Sequence, residues 1–92
     1  MQQLNDEEVV KEIYDEYVKS VAEKIVELHA TLGAEDWVPL DRTAHTLKGN
    51  ALAAGDEDIA TLAIEIRKAA ALKDAETCRK LLAKIEEMSK LL

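Results

Sequence analysis

The sequence predicts an all-α fold, an antiparallel up-down four-helix bundle. Apolar residues recur at the three- and four-residue spacing of an amphipathic helix through four successive segments. The 92 residues contain only three glycines and one proline, which leaves little material for turns. Because the connections between the segments are short, consecutive helices must lie antiparallel. We expect helices over residues 6–31, 37–54, 57–72 and 75–91.

The first predicted helix is the longest. Asn5 is placed to cap its N-terminus, with Leu4 and Val9 at the two hydrophobic-staple positions, and Gly33 is placed to end it. At about 1.5 Å per residue this helix exceeds its neighbours in length, so we expect its first turns to extend beyond the bundle. Its apolar stripe consists of Val10, Ile13, Tyr14, Tyr17, Val21, Ile25, Leu28 and Leu32.

The second predicted helix begins after Asp36, which is placed as its N-cap. Pro39 falls in the first turn, where its missing N–H costs nothing, and Gly55 supplies the stop. The residues that recur at three- and four-residue spacing on its inner face are Trp37, Leu40, Ala44, Leu47, Ala51 and Ala54.

The third and fourth predicted helices have aspartate N-caps, Asp56 and Asp74. Lys73 is a terminal cation for the third helix. The inner face of the third helix comprises Ile59, Leu62, Ile66 and Ala69. The inner face of the fourth comprises Cys78, Leu81, Leu82, Ile85, Met88 and Leu92.

The composition argues against several functional classes. The chain has 12 basic and 19 acidic residues, a net charge of −7, so nucleic acid and anionic membranes are poor partners. A single cysteine, Cys78, allows no internal disulfide and no cysteine-rich metal site. The chain has no apolar run of about 18 residues, and its N-terminus is too acidic for a signal peptide. We expect one cytoplasmic domain over residues 1–92.

The candidate functional residue is His45, in the middle of the second helix. At about 100° of rotation per residue, its side chain lies roughly 130° from the centre of the apolar stripe and faces solvent. Gly49 follows one turn later on the same outer face, where a glycine costs about 1 kcal/mol relative to alanine. Close packing against another helix would explain Gly49, but its outward phase favours a site that a partner approaches. Val38 and Leu52 also fall on this face, which suggests a docking surface around the histidine.

Two cations flank His45 at helical spacing. Arg42 precedes it by three residues and Lys48 follows it by three, and such positions are neighbours on a helix. A phosphoryl group on the imidazole would bring about two negative charges, which these cations could offset. Histidine suits such a role because its ring is largely neutral and nucleophilic near pH 7. The pattern therefore favours a phosphoryl acceptor over an ordinary surface histidine.

This segment resembles the signature of histidine-containing phosphotransfer (Hpt) domains of bacterial two-component phosphorelays. The residues that carry the resemblance are Ala44-His45-x-x-Lys48-Gly49, followed by Gly55. The resemblance covers residues 9–92 and implies an antiparallel four-helix bundle that exposes His45 on its second long helix. It also implies phosphoryl acceptance at Nε2 of His45, support from Lys48, and space for the partner at Gly49.

The same resemblance implies the partners. Hpt domains exchange the phosphoryl group with an aspartate of a receiver domain, which contributes the Mg²⁺, so we expect a carrier with no cofactor of its own rather than an enzyme. The expected partners are a response-regulator receiver domain, a hybrid sensor histidine kinase, or both, and we expect a monomer. The sequence departs from the family at Asn50, Leu52 and Asp56, where small or apolar residues are usual.

Three alternative functions are compatible with a helical bundle. A helical adaptor that binds signalling partners without phosphoryl transfer explains Val38 and Leu52, but not Lys48 and Gly49 beside His45. A metal-binding bundle would need Glu-x-x-His pairs, which are absent. An autonomous hydrolase would need a phosphate loop or a nucleophile motif, and neither is present. His29, with no cation at helical spacing, is interpreted as structural or solvated.

Overall fold

The computed structural model describes residues 6–92, which contain four α-helices and no strand. This confirms the all-α four-helix bundle. The bounds of the second helix agree with the prediction, and those of the others differ by one or two residues at their C-terminal ends. The predicted cap at Asn5 and Leu4 lies outside the described residues. The helices are α1 Asp6–Gly33, α2 Trp37–Ala54, α3 Glu57–Ala71 and α4 Ala75–Ser89.

The four helices form a closed ring around one core. Over the described residues, α1 lies beside α2 and α4, α3 lies beside α2 and α4, and the backbones of the diagonal pairs do not approach within 8 Å. This is the arrangement expected when short joints make each helix antiparallel to the one before it. The core holds no buried polar side chain among the described residues. Its largest fully buried side chains are Leu28, Leu40, Leu47, Ile59, Ile66, Leu82, Ile85, Val21 and Cys78.

The predicted inner face of α2 is correct at its centre and wrong at one end. Leu40, Ala44 and Leu47 are buried, whereas Ala54 is exposed and Trp37 is only partly buried. Trp37 still packs against the edge of the core. The stripe therefore fixes the rotation of α2 where it matters for the site, in the two turns around Ala44.

The first turns of α1 extend beyond the bundle. Residues 6–16 are all exposed, as expected for first turns that extend beyond the bundle, and the part of the apolar stripe formed by Val10, Ile13 and Tyr14 does not enter the core. The reason is that α2 ends at the level of Tyr17, which is the first buried residue of α1. Tyr17 marks this level because its hydroxyl donates a 2.8 Å hydrogen bond to Asp56 in the joint between α2 and α3.

All three joints are built in the same way. Each places one residue of positive φ directly before an aspartate that begins the next helix; these residues are Glu35, Gly55 and Lys73, with φ of 50°, 78° and 54°. The carboxylates of Asp56 and Asp74 accept a hydrogen bond from the backbone three residues later, at Ile59 and Thr77. Asp36 occupies the same position, but its side chain makes no capping hydrogen bond.

The joints correct two expectations about helix ends. Gly33 does not end α1 through a left-handed conformation: the helix includes Gly33, and Glu35 adopts the left-handed backbone. Lys73 lies beyond the end of α3 and takes the same conformation in the next joint. Only at Gly55 does a glycine hold the left-handed position, for which its missing Cβ suits it.

Candidate functional site

His45 lies on the outer face of α2, in the phase that the sequence predicts. Its neighbour Ala44 is completely buried, as is Leu47, and these two contacts with the core fix the rotation of the helix. His45 itself is exposed. Its imidazole is therefore held on a rigid helix and remains accessible from solvent, which suits a group that must meet another protein.

A guanidinium from the neighbouring helix contacts the His45 ring. Nη1 of Arg67, on α3, lies 3.1 Å from Nδ1 of His45. Arg67 is not among the residues predicted from the sequence, because the helical pattern relates residues within one helix and gives no information about the partner across an interface. The available signal was its position next to Ile66, which is buried and places Arg67 at the edge of the α3 core face.

Arg67 is itself oriented by a carboxylate of α2. Its Nε donates to Oδ1 of Asp41 over 2.9 Å, and Asp41 lies one turn before His45. This hydrogen bond is the main cause of a pKa of Arg67 above its usual value. Asp41, Arg67 and His45 thus form a line of polar contacts across the α2–α3 interface.

The two predicted cations have their side chains available. Lys48 is partly buried and Arg42 is exposed. Within residues 6–92, neither the Lys48 ammonium nor the Arg42 guanidinium has a hydrogen bond or an ion pair to another side chain. Both remain able to interact with an anion that arrives at His45.

Gly49 has no packing role within residues 6–92. A Cβ added at Gly49 would meet no described atom within 4 Å outside its own helix backbone. Its backbone also shows no positive φ. The interpretation of Gly49 as a glycine for close helix packing is therefore excluded. The surface above it, one turn from His45, is open.

An apolar rim surrounds His45 on α2. We define the rim as Val38 and Leu52, which lie two turns before and after His45 and have 69% and 55% of their surface exposed. Ile64 on α3, three residues before Arg67, is also exposed and was not predicted. Exposed apolar side chains at this density around a polar centre are typical of a protein interaction surface.

Comparison with known families agrees with this geometry. The family model described as the Hpt domain matches residues 12–91. The chain belongs to the Hpt domain family. Neither a curated protein nor a solved structure matches the chain significantly. The match covers α2, α3, α4 and α1 from Glu12 onward, including the segment around His45, and leaves out residues 6–11 at the start of α1.

Two of the departures from the family pattern have structural roles in this Hpt domain. The Asn50 side chain donates a 2.7 Å hydrogen bond to the hydroxyl of Ser20, which links α2 to α1. Asp56 caps α3 and accepts a hydrogen bond from the Tyr17 hydroxyl. These residues are therefore used in holding the helices together, while Leu52 is free on the surface.

The other histidine of the Hpt domain has a different environment. His29 on α1 is paired with Glu86 on α4, so its ring links two helices, as a structural reading of His29 expects. In residues 6–92 there is no group of three or more side chains that could hold a metal ion. Over the same residues no helix is both long and apolar enough to cross a membrane.

Proposed function

We propose that this Hpt domain is a phosphorelay intermediate that accepts a phosphoryl group on Nε2 of His45 and passes it to or from an aspartate of a receiver domain. The observation that carries the proposal is the exposed imidazole on a helix face left open by Gly49. A group-transfer histidine must be reached closely by another protein, and a glycine one turn away removes the side chain that would obstruct it. Membership in the Hpt family supports the same role.

The charges around His45 suit a transferred phosphoryl group. Phosphoryl transfer passes through a loose, metaphosphate-like transition state, so positioning and charge stabilisation matter more than covalent machinery. Lys48 and Arg42 have no competing partners in the described part of the chain and are within helical reach of His45. We propose that Lys48 stabilises the phosphoryl group and that Arg42 belongs to the docking surface.

The partner is a receiver domain or a hybrid histidine kinase. Val38 and Leu52 would bury their exposed surface against it, and Gly49 would allow its backbone to approach. In this proposal the chain is a monomeric carrier, and Mg²⁺ is contributed by the receiver. The chain depends on its partners for both delivery and removal of the group, so it acts as a carrier rather than as an independent enzyme.

Labelling by phosphorylated receiver domains tests the proposal. We expect purified wild type and His29→Gln to acquire an acid-labile, base-stable phosphate, and His45→Gln to acquire none. His29→Gln is the matched control because it removes the other histidine and its contact with Glu86. Label on His45→Gln would place the site elsewhere. Absence of label across a panel of receivers, with binding retained, would favour the adaptor function.

A further inference from the structure

We propose that Arg67 is a positioning residue that holds Nδ1 of His45 unprotonated and thereby slows release of a phosphoryl group from Nε2. The consequence for release rests on the proposed function, whereas the state of the ring nitrogen does not. The proposal depends on the contact between Nη1 of Arg67 and Nδ1 of His45, which are 3.1 Å apart.

The direction of this hydrogen bond follows from the chemistry of its two partners. A guanidinium has five N–H donors and no acceptor, and it is not deprotonated in proteins. Nδ1 must then be the acceptor, with its lone pair directed at Arg67. In the neutral imidazole, the one ring proton is consequently on Nε2.

The surroundings hold Arg67 in this position. Asp41 accepts from its Nε over 2.9 Å and leaves Nη1 directed at the imidazole. Asp41 and His45 lie one turn apart on α2, and Arg67 reaches both from α3. The helix backbones cannot shift freely because Ala44 and Ile66, the neighbours of the two contact residues, are fully buried.

This arrangement opposes the tautomer that accepts a phosphoryl group. For attack, Nε2 needs a free lone pair, so the ring proton must be on Nδ1 and Arg67 must move away from it. The Nε2 lone pair then forms the N–P bond, while the P–O bond of the aspartyl phosphate breaks and its electron pair stays on the carboxylate. The proton on Nδ1 leaves to solvent, and the unprotonated Nδ1 can again accept from Arg67.

The phosphorylated ring is the state that Arg67 favours. Release of the phosphoryl group is easier when Nδ1 is protonated, because the group then departs from a neutral imidazole rather than from an imidazolate. A guanidinium at Nδ1 occupies the lone pair and repels the incoming proton. Arg67 therefore acts as a brake that lengthens the lifetime of the phosphorylated chain and is removed when a partner displaces it.

The state of the ring is tested by ¹⁵N NMR of the histidine nitrogens in the unphosphorylated chain. We expect wild type to carry the ring proton of neutral His45 on Nε2, and Arg67→Met to show a mixture with the proton on Nδ1. Lys68→Met is the matched control: Lys68 is an exposed cation beside Arg67, and methionine resembles both in helix propensity. A wild-type ring protonated at Nδ1 would overturn the proposal, since Arg67 could not donate to it.

The brake is tested by the lifetime of the phosphorylated chain. Phosphoramidate phosphorylates histidine directly, so the measurement needs no receiver. At fixed neutral pH we expect Arg67→Met to lose its phosphate roughly three- to tenfold faster than wild type, the rate equivalent of one net hydrogen bond. Lys68→Met should match wild type. Equal lifetimes in Arg67→Met and Lys68→Met would overturn the brake. If receivers fail to label the chain while the NMR result holds, the proposed function fails and the assignment of Arg67 stands.

Discussion

Gly49 and Gly55 are present for different physical reasons. Gly55 has a φ of 78°, a conformation that side chains with a Cβ rarely adopt, and it ends α2. Gly49 lies inside α2 with open space around it, so no contact within the described chain requires a glycine there. A residue that weakens its own helix without a benefit to packing is expected where function requires space.

Replacing Gly49 should separate stability from function. We expect Gly49→Ala to raise the free energy of unfolding by about 0.5–1 kcal/mol, because alanine is the better helix former. Gly49→Gln should leave the fold intact but weaken receiver binding, because its side chain would occupy the approach to His45. Denaturant unfolding and receiver titration measure the two effects.

Gly33→Ala is the control for Gly49. Gly33 is also helical and also has open space for a Cβ, but it lies at the far end of α1. The Gly33→Ala substitution should stabilise the fold and leave the affinity for the receiver unchanged. Unchanged receiver affinity in Gly49→Gln would remove the functional explanation of Gly49.

Tyr17 makes the free energy of unfolding depend on pH in the alkaline range. Burial is the main cause that raises the pKa of its hydroxyl, and the hydrogen bond to Asp56 adds to it. The folded pKa lies above the unfolded value of about 10, so the contribution is complete below that pH and is lost as the pH rises toward the folded pKa. Burial also raises the pKa of the Cys78 thiol, which acts in the same direction.

The variant Tyr17→Phe isolates this effect, since Cys78 is common to both chains. Near pH 7 we expect the variant to be less stable by about 1 kcal/mol, through loss of the hydrogen bond to Asp56. Denaturant unfolding at increasing pH should show the difference narrowing above about pH 10, as the wild type loses its advantage. A difference that stays constant into the alkaline range would contradict the assignment to Tyr17.

The joints make a prediction about the helices they begin. Asp56 and Asp36 have nearly the same backbone angles, but only Asp56 caps its helix with a hydrogen bond. We expect Asp56→Ala to lower the free energy of unfolding by about 1–2 kcal/mol, through loss of the cap and of the Tyr17 contact. Asp36→Ala is the matched control and should change it by less than about 0.5 kcal/mol. Equal losses would show that the side-chain cap contributes nothing.

The existence and order of the helices could be predicted because each one carries its own periodic stripe. The errors concern features that depend on a neighbouring element. Val10, Ile13 and Tyr14 continue the stripe of α1 but remain exposed, and the Tyr14 hydroxyl donates a 2.8 Å hydrogen bond to the Leu92 carbonyl instead of entering the core. The joint between α1 and α2 requires a left-handed conformation at Glu35, and glutamate is not a residue type that predicts this conformation.

In the candidate site, too, the features set by one helix could be predicted and the contact with a neighbouring helix could not. The exposure of His45 and the availability of Lys48 and Gly49 follow from positions along a single helix, so helical phase predicts them. Arg67 contacts His45 across 22 residues of sequence, and its approach depends on how α2 and α3 pack. A pattern read along one helix cannot supply that relation, which is why the ring contact emerged only from the structure.

At the scale of the whole molecule, the bundle and the first turns of α1 are separable. The described residues extend 51 Å along their longest axis and only 21 and 17 Å across it, and residues 6–16 are exposed throughout. We expect deletion of residues 1–10 to change the free energy of unfolding by less than about 1 kcal/mol, because the described residues among them, 6–10, are all exposed. Deletion through Ser20 removes buried Tyr17 and should be much more costly. A large loss from the shorter deletion would mean that these turns are part of the folded unit.

In the proposed function, the helical ring as a whole is a rigid support that presents His45 to two proteins in turn. A carrier must both receive and release its group, so loading alone tests half of the account. Release to a receiver is the more demanding half under the proposal that Arg67 favours the loaded state. A chase experiment that starts from the phosphorylated chain measures this release step directly.

The most direct measurement is transfer of labelled phosphoryl from the chain, loaded with phosphoramidate, to an unphosphorylated receiver domain with Mg²⁺. The account predicts that label moves from wild type and from His29→Gln to the receiver, and that His45→Gln delivers none. It would be contradicted if His45→Gln delivered label as wild type does. It would equally be contradicted if wild type lost its phosphate only to water, at the rate seen without any receiver.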